Sequence, residues 1–480
     1  MVSTELSAIP AWTAEERESF FAAIERHRRA AWRVTLASAL ANSLVAVVVA
    51  LLMSPIFYAT VALLLDLGNL IIPLPNIVEP IGKLIGPAFD KPESVSLGRW
   101  IDIGVLAALP GFIWMAWVLL MIRRAARLSG MFTGADLPAQ PPNPQVLAEQ
   151  RFNNVIGEMS VAANIPAPRV LVGDWGGANA AVFGSDEQHA TIVVSRELLA
   201  ALNRDQAQGV AAHLIGSIAN GDMSIGMRVA MTLGLFGLVG RMASAFTEGP
   251  QLRRLARVFM AILFRPTPEA GRAFIGEIAD PFPDSGSRAS GARPRKPNDW
   301  RTFAWMPFAG PVCMTGFFGG VINLFVLEPL VSLAWRKRKY MADATAVRLT
   351  RDPDTLAGAL RHLADSGGGR LFGGMAAHLC VVRPGARADG LMRSSVVPSY
   401  PSVDRRLREL VKMGAHVTGR PKARLPALAI AIIVPLAMLV MALVGVMLCL
   451  MVWLSMALSM LFLGLPFGIL HVFLRWIGHG

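Results

Sequence analysis

The sequence predicts a multi-pass α-helical membrane protein that carries a cytoplasmic α+β domain. Of its 480 residues, 54% are hydrophobic and only 16% are charged, a balance that an ordinary water-soluble domain does not show. Several apolar runs also reach the length of about 20 residues that a membrane-spanning helix needs. These runs lie at 34–53, 101–121, 303–335 and 425–475, and polar blocks separate them.

Basic residues flank the apolar runs and predict their orientation. Arginine and lysine clusters lie at 26–33, 123–127, 336–339 and 420–424. Positive flanks mark the cytoplasmic side of a membrane helix, so the N-terminus and both large polar blocks are predicted to be cytoplasmic. The formal net charge of +13 is then a topology signal that also attracts anionic lipid. Nucleic acid is not a predicted partner, because no nucleic-acid-binding motif accompanies the charge.

The predicted domain organisation alternates between polar and apolar blocks. The apolar stretch 55–74 holds Asp66 and ends in a proline-rich run, so it is a candidate re-entrant segment. In chain order the blocks are a cytoplasmic N-terminal helix (1–33), a transmembrane region (34–121), the first part of the polar domain (135–301), a further span (303–335), the second part of the polar domain (336–424) and a transmembrane hairpin (425–475).

The first polar block has the patterns of mixed α+β structure. Residues 151–163 and 204–220 have helical periodicity, whereas 169–173 and 191–195 are rich in β-branched residues, as strands are. The 3 cysteines of the chain are widely scattered, which predicts no disulfide framework and fits a reducing compartment.

The most informative motif lies on the predicted helix at 204–220. Residues 209–222 read Gly-Val-Ala-Ala-His-Leu-Ile-Gly-Ser-Ile-Ala-Asn-Gly-Asp. In a His-Glu-x-x-His helix, histidines four residues apart share one face and hold one zinc ion, while the Glu acts on the metal-bound water. Here His213 is present, but Leu214 stands at the Glu position and Ser217 at the second histidine position.

This segment resembles the zinc-binding helix of the HtpX-like and CAAX-prenyl-protease-type membrane metallopeptidases, peptidase family M48. Residues 339–343, Lys-Tyr-Met-Ala-Asp, are similar to the family's Glu-Tyr-x-Ala-Asp helix. Tyr400 to Arg406 is similar to its His-Pro-Pro segment, which a basic residue near the substrate follows. The resemblance covers most of 150–410 and implies a metallopeptidase-like, zincin-type fold in a bacterial inner-membrane protein.

The resemblance also implies which functional positions have changed. The implied metal positions are His213, Ser217 and Lys339, and the implied catalytic positions include Leu214 and Tyr400, the last at a histidine position. Leucine carries no titratable proton, a serine hydroxyl is a poor zinc ligand, and an ammonium has no lone pair. We therefore expect no functional catalytic residue and no bound metal, with His213 as the only retained ligand position.

Other positions that the resemblance implies are retained. Asn220, Asp222 and Asp343 form the implied outer shell, and we expect Lys339 to pair with Asp222 or Asp343 so that a fixed charge replaces the metal. An edge strand that can hold an extended peptide is implied at Thr191, Ile192, Val193, Val194 and Ser195.

These expectations favour a catalytically inactive metallopeptidase homologue, a pseudopeptidase that binds or regulates another membrane or cytoplasmic protein. No cofactor is expected, and the expected partners are membrane lipid and that protein. One alternative is a zinc-dependent membrane endopeptidase with a non-standard ligand set, for which His189, His378 and Asp222 are the remaining candidate donors. The second alternative is a structural or transport membrane protein that shares only the fold.

Overall fold

The structure is a computed structural model. Most of the predicted 303–335 span, nearly all of the predicted 425–475 hairpin, and Tyr400 lie outside the residues that it describes. The described residues are 17–69, 71–75, 77–90, 95–130, 139–226, 249–279, 328–365, 379–382, 401–417, 468–470, 472–473 and 476.

The described elements are long helices and a small sheet. The helices are α1 (Phe20–Asn69), α2 (Val78–Asp90), α3 (Leu97–Leu128), α4 (Leu147–Ala163), α5 (Arg196–Ala201), α6 (Arg204–Ala219), α7 (Gly249–Phe264), α8 (Pro268–Ala279), α9 (Glu328–Thr350), α10 (Pro353–Asp365) and α11 (Val403–Lys412). The strands are β1 (Ala139–Gln140), β2 (Arg169–Gly173), β3 (Ala180–Phe183) and β4 (Thr191–Ser195).

The first helix is continuous over 50 residues, a length of roughly 75 Å at the rise of an α-helix. It joins the predicted polar N-terminal helix to the apolar run without a break. The candidate re-entrant segment at 55–74 is not a separate element, because residues 55–69 extend α1. The helix ends at Asn69, shortly before the prolines at 73 and 75.

One helix within the described residues, α3, is long and apolar enough to cross a membrane. Its last turns carry Arg123, Arg124 and Arg127, the basic flank on which the orientation prediction depends. The multi-pass topology and the cytoplasmic orientation stay predictions. Around α3, an apolar cluster joins Met115, Val118 and the fully buried Phe274 of α8.

The sheet has the strand order β1-β2-β4-β3. Strands β2 and β4 are parallel, with Arg169 opposite Thr191, and β3 runs antiparallel to β4. The edge position predicted for Thr191–Ser195 is therefore wrong, because β4 is paired on both sides and all five of its residues are buried. An unbroken β-branched run is typical of such an interior strand, and β1 and β3 are the two edge strands.

The core of the α+β part is centred on α6. This helix packs against α4, α9 and α10, and every residue from Gly209 to Ile218 is buried. Two glycines permit close approach: a Cβ on Gly209 would lie 2.6 Å from the Leu356 backbone nitrogen, and one on Gly216 would lie 3.1 Å from the Ala342 carbonyl oxygen. The helix that resembles the zinc-binding helix is thus fixed tightly against α9 and α10.

Candidate functional site

The predicted site residues are held by α6 and α9. Helix α6 begins at a capping box, in which the Asn203 side chain accepts from the Gln206 N–H and the Gln206 side chain accepts from the Asn203 N–H. It ends before Gly221, whose φ of 69° is the left-handed conformation that favours glycine after a helix. These signals determine where the helix begins and ends, and therefore where His213 lies along α6 opposite α9.

A buried chain of charges connects His213 to Asp343 and Arg406. The His213 Nδ1 lies 2.8 Å from Asp343 Oδ1. Arg406 binds the same carboxylate through two contacts, Nε to Oδ2 at 2.8 Å and Nη2 to Oδ1 at 2.6 Å. All three side chains are nearly or fully inaccessible, so the triad is a rigid unit in the interior rather than a surface ion pair.

The protonation states of this triad follow from its surroundings. Burial lowers the pKa of His213 to about 4 against the opposing pull of Asp343, so the imidazole is neutral at pH 7. Burial alone would raise the pKa of Asp343, but the Arg406 guanidinium and the His213 hydrogen bond hold that pKa well below its ordinary value. Asp343 is therefore a carboxylate, and the neutral His213 donates its Nδ1 proton to it.

The other imidazole nitrogen, His213 Nε2, is buried and has no hydrogen-bond partner within the described part of the chain. An imidazole that donates one N–H to a carboxylate and leaves the other nitrogen free has the arrangement of a metal-binding histidine with its outer-shell partner. His213, where the resemblance implies the first ligand, thus has this arrangement with Asp343.

The remaining metal positions do not fit zinc. Leu214 belongs to the apolar core cluster, Ser217 is a buried hydroxyl, and the Lys339 ammonium donates to the Cys380 carbonyl oxygen at 2.7 Å. Zinc sites in proteins use at least three nitrogen, sulfur or carboxylate ligands. No group of three such ligands occurs within the described ranges, and His213 Nε2 alone cannot hold the ion.

The candidate substitute donors do not join His213 among the described residues. His189 is exposed at a turn, where its Nδ1 lies 2.7 Å from Asp186 Oδ1. Asp222 forms an ion pair with Arg338, with 2.7 Å between Oδ1 and Nε. His378 lies outside the described residues.

The prediction that Lys339 pairs with Asp222 or Asp343 is wrong in its choice of partner. Lys339 is buried, with 4% of its surface exposed, but within the described residues its direct contact is a backbone carbonyl. The guanidinium groups of Arg338 and Arg406 contact the two carboxylates instead. Arginine presents several donors in a planar fork that matches a carboxylate, which the point charge of lysine does not.

Asn220 and Asp222, the other implied outer-shell residues, connect α6 to α9. The Asn220 Nδ2 donates to Thr345 Oγ1 at 3.2 Å, and its backbone carbonyl accepts from Arg338 Nη2 at 2.8 Å. Burial raises the pKa of Asp222 to about 6, and the nearby charges of Arg338 and Lys339 oppose this rise. Both residues therefore contribute polar contacts between the end of α6 and α9.

The buried site carries a net positive charge at neutral pH. Two carboxylates, Asp222 and Asp343, face three cations, Arg338, Lys339 and Arg406, so the sum is 3 − 2 = +1. Because Coulomb interactions are strong in a poorly solvated interior, a divalent cation entering this site would be repelled. Lys339 is the cation without a direct carboxylate contact among the described residues, and it stands where the resemblance implies a metal ligand.

The ionisation of Lys339 gives a testable dependence of stability on pH. Burial and the nearby Arg406 charge lower the pKa of Lys339 from its ordinary value of 10.5 to about 8. Between these values the unfolded chain binds more protons than the folded chain, so the free energy of unfolding rises with pH. The expected rise is about 3 kcal/mol across this window, and it is absent below pH 8 because lysine is protonated in both states.

Denaturant unfolding of the detergent-solubilised protein at a series of alkaline pH values measures this rise. Lys339→Met should flatten it, whereas Lys83→Met should leave it unchanged, because the Lys83 side chain is 76% exposed. Equal slopes for the unmodified protein and Lys339→Met would show that Lys339 has an ordinary pKa and is not buried.

Residues 379–382 are a part of the site that the sequence did not predict. Cys380 pairs with Ala181 of β3 in an antiparallel bridge, and the Val381 N–H donates to the Ala180 carbonyl at 2.8 Å. The Arg406 Nη1 donates to the Val381 carbonyl at 2.6 Å. The only sequence signal is a short apolar run, Leu-Cys-Val-Val, which does not indicate its partner.

Comparisons with known proteins agree with the predicted resemblance. Residues 147–270 match the family model "Peptidase family M48". Similar proteins named "Protease HtpX homolog" include one from Thermoanaerobacter pseudethanolicus, 26% identical over 57% of this chain and 74% of the relative. Another, from Chlorobium phaeobacteroides, is 28% identical over 65% of this chain and 88% of the relative.

The crystal structure of S. mikatae Ste24p is a solved structure to which this chain is similar. The two are 17% identical, the match covers 70% of this chain and 62% of the solved chain, and the TM-score is 0.30. The family match and the HtpX-named relatives confirm the resemblance to peptidase family M48.

Proposed function

We propose that this chain, which resembles peptidase family M48, is a catalytically inactive homologue of those peptidases. As a pseudopeptidase, it binds, holds or regulates another membrane or cytoplasmic protein. One observation carries this proposal. The Lys339 ammonium, at the position where the resemblance implies a metal ligand, is buried and donates to the Cys380 carbonyl. In this proposal, the Lys339 charge and its hydrogen bond to Cys380 replace a bound metal ion.

The retained parts of the site support a structural role for this scaffold. His213, Asp343 and Arg406 form a buried charge network in the core, in which the Arg406 guanidinium and the His213 N–H hold Asp343 in its charged form. We propose that the domain lies on the cytoplasmic side of a multi-pass protein of the bacterial inner membrane, with lipid around its apolar helices. The apolar composition, the basic flanks and the apolar helix α3 support this location.

The second candidate is a zinc-dependent endopeptidase with substitute ligands. It is favoured by His213 Nε2, which is buried and has no hydrogen-bond partner among the described residues, and by the Asp343 contact that orients the ring. It also agrees with the names of the relatives. This candidate requires two further donors from residues outside the described ranges.

The metal content of the protein distinguishes the two candidates. Detergent-purified protein, expressed with zinc in the medium, should contain far less than one zinc per chain by elemental analysis. Lys339→Glu is the matched comparison: it supplies a second donor beside His213, still short of three, so it should gain little zinc. Near-stoichiometric zinc in the unmodified protein would overturn the pseudopeptidase proposal in favour of the endopeptidase.

A further inference from the structure

The polar first turns of α1 are docked on the α+β domain. Ala23, His27 and Ala31 are buried at intervals of four residues, and residues four apart share one face of a helix. Helix α1 packs along α9, where the rings of His27 and Tyr340 have centroids 5.2 Å apart. This contact fixes the level of α1 relative to α9.

Helix α11 lies beside α1 and runs in the opposite direction. The Glu18 N–H donates to the Lys412 carbonyl at 2.9 Å. Further along α1, Arg26 Nη2 lies 3.0 Å from Glu409 Oε2. The path along α1 from its polar start to its apolar run is therefore matched on α11 by the path from Lys412 back toward Arg405.

The side chains of α1 indicate where this path reaches the membrane. Trp32 is 67% exposed, and Leu36 and Leu40 follow it as exposed residues on the same side of the helix. Tryptophan is enriched where a helix passes the membrane–water interface, and exposed leucines beyond it suit the hydrocarbon. The cytoplasmic surface of the membrane is accordingly expected near Trp32.

Three arginines, one from each helix, point toward this level. They are Arg33 of α1, Arg336 of α9 and Arg405 of α11. Arg33 follows Arg26 by seven residues, Arg336 precedes Tyr340 by four, and Arg405 precedes Glu409 by four. Residues four or seven apart share a helix face. Each arginine therefore lies on the face that makes the contacts above, one or two turns closer to the membrane.

Electrostatic effects agree with this convergence. Burial and then the nearby charge of Arg405 lower the pKa of Arg336. Arg33 and Arg405 are exposed and form no ion pair within the described part of the chain. Glu409, the acidic residue one turn away, already contacts Arg26 and Lys412. Like charges held together in this way repel one another, and a bound anion would offset that repulsion.

We infer that Arg33, Arg336 and Arg405 form a binding site for the phosphate of an anionic phospholipid headgroup. Guanidinium groups match phosphate oxygens through paired hydrogen bonds, and the level of Trp32 places the acyl chains of such a lipid beside α1. The inference rests on the membrane location within the proposed function and is independent of the loss of catalysis. A bound headgroup would join α1 to the helices that carry Lys339 and Arg406.

Lipid titration followed by native mass spectrometry tests the site in the full-length, detergent-purified protein. The two probes are dioleoyl phosphatidylglycerol and dioleoyl phosphatidylcholine, which both carry a phosphate, although only the first has a net negative charge. The first bound phosphatidylglycerol should have a dissociation constant at least about tenfold lower than that of phosphatidylcholine. The double variant Arg33→Gln, Arg405→Gln should lose most of this preference.

The matched control is Arg123→Gln, Arg124→Gln, which removes two exposed arginines from the end of α3. These residues also flank an apolar helix, so the control separates a built site from the general attraction of basic flanks to anionic lipid. The preference should change by less than about twofold. Equal losses in the two double variants would overturn the inference. If the first double variant does not fold, Arg405→Gln alone should weaken phosphatidylglycerol binding by about fivefold.

Inorganic phosphate distinguishes a lipid site from a site for the free ion. At millimolar concentration it should not displace phosphatidylglycerol, because it lacks the acyl chains that add to binding. Displacement would assign the site to free phosphate and overturn the lipid inference. The proposals fail on different measurements. Stoichiometric zinc contradicts the pseudopeptidase, extraction by alkaline carbonate contradicts the membrane location, and equal affinity for the two lipids contradicts this inference alone.

Discussion

Replacing Arg406 with methionine is expected to lower the free energy of unfolding by about 3–5 kcal/mol. The reason is the charge that the substitution leaves behind. Arg406 makes both of its carboxylate contacts to Asp343, whose side chain is 0% exposed, and it also binds the Val381 carbonyl. Without the guanidinium, Asp343 stays buried with only the neutral His213 beside it.

The control for this prediction is Arg151→Met, the same change at an exposed position of α4. It should alter stability by less than about 0.5 kcal/mol. Denaturant unfolding of both detergent-solubilised variants near neutral pH gives the comparison. A loss for Arg406→Met no larger than that for Arg151→Met would contradict the buried ion pair.

The loss of unfolding free energy caused by Arg406→Met should also become smaller as the pH is lowered. In the unmodified protein the pKa of Asp343 is depressed, so its contribution to stability is present above the ordinary pKa of an aspartate and is lost as pH falls below it. In the variant, burial without the guanidinium raises the pKa of Asp343 instead. The carboxyl then becomes neutral at a higher pH, and the cost of burying its charge disappears there.

The sequence was sufficient to predict the helices and strands that have a strong local pattern. The helix predicted at 204–220 is observed at Arg204–Ala219, and the strands predicted at 169–173 and 191–195 are observed with those bounds. Periodicity and β-branched runs decide such elements because the responsible side chains are neighbours in sequence. The changed identities at 214, 217 and 339 are likewise properties of the chain itself.

The contacts of the site could not be predicted because they join distant parts of the chain. Arg338 and Lys339 are adjacent cations on one helix, and which of them faces Asp222 depends on how α9 is rotated against α6. The same is true of the edge strand, since the pattern of Thr191–Ser195 shows a buried strand but not that β3 and β2 pair on its two sides. The role of residues 379–382 is visible only once β3 is known to be an edge strand.

Restoring the three changed positions together should create a zinc site. In the variant Leu214→Glu, Ser217→His, Lys339→Glu, two histidines four apart on α6 and a glutamate on α9 supply the three ligands of a zincin-type site. Asp343 already holds the His213 ring by Nδ1. The buried charge changes from +1 to −2, since one cation is lost and two carboxylates are gained (+1 − 1 − 2 = −2). Elemental analysis should then find close to one zinc per chain.

The double variant Leu214→Glu, Ser217→His, which keeps Lys339, is the sharpest control because it differs by a single side chain. Its ammonium has no lone pair and repels the ion, so this variant should stay nearly zinc-free. Zinc in the double variant would show that Lys339 is not what prevents binding. A folded triple variant without zinc would point to residues 379–382, because the Cys380 carbonyl lies 2.7 Å from the tip of the Lys339 side chain. In that case, adding Val381→Pro to the triple variant should restore the metal.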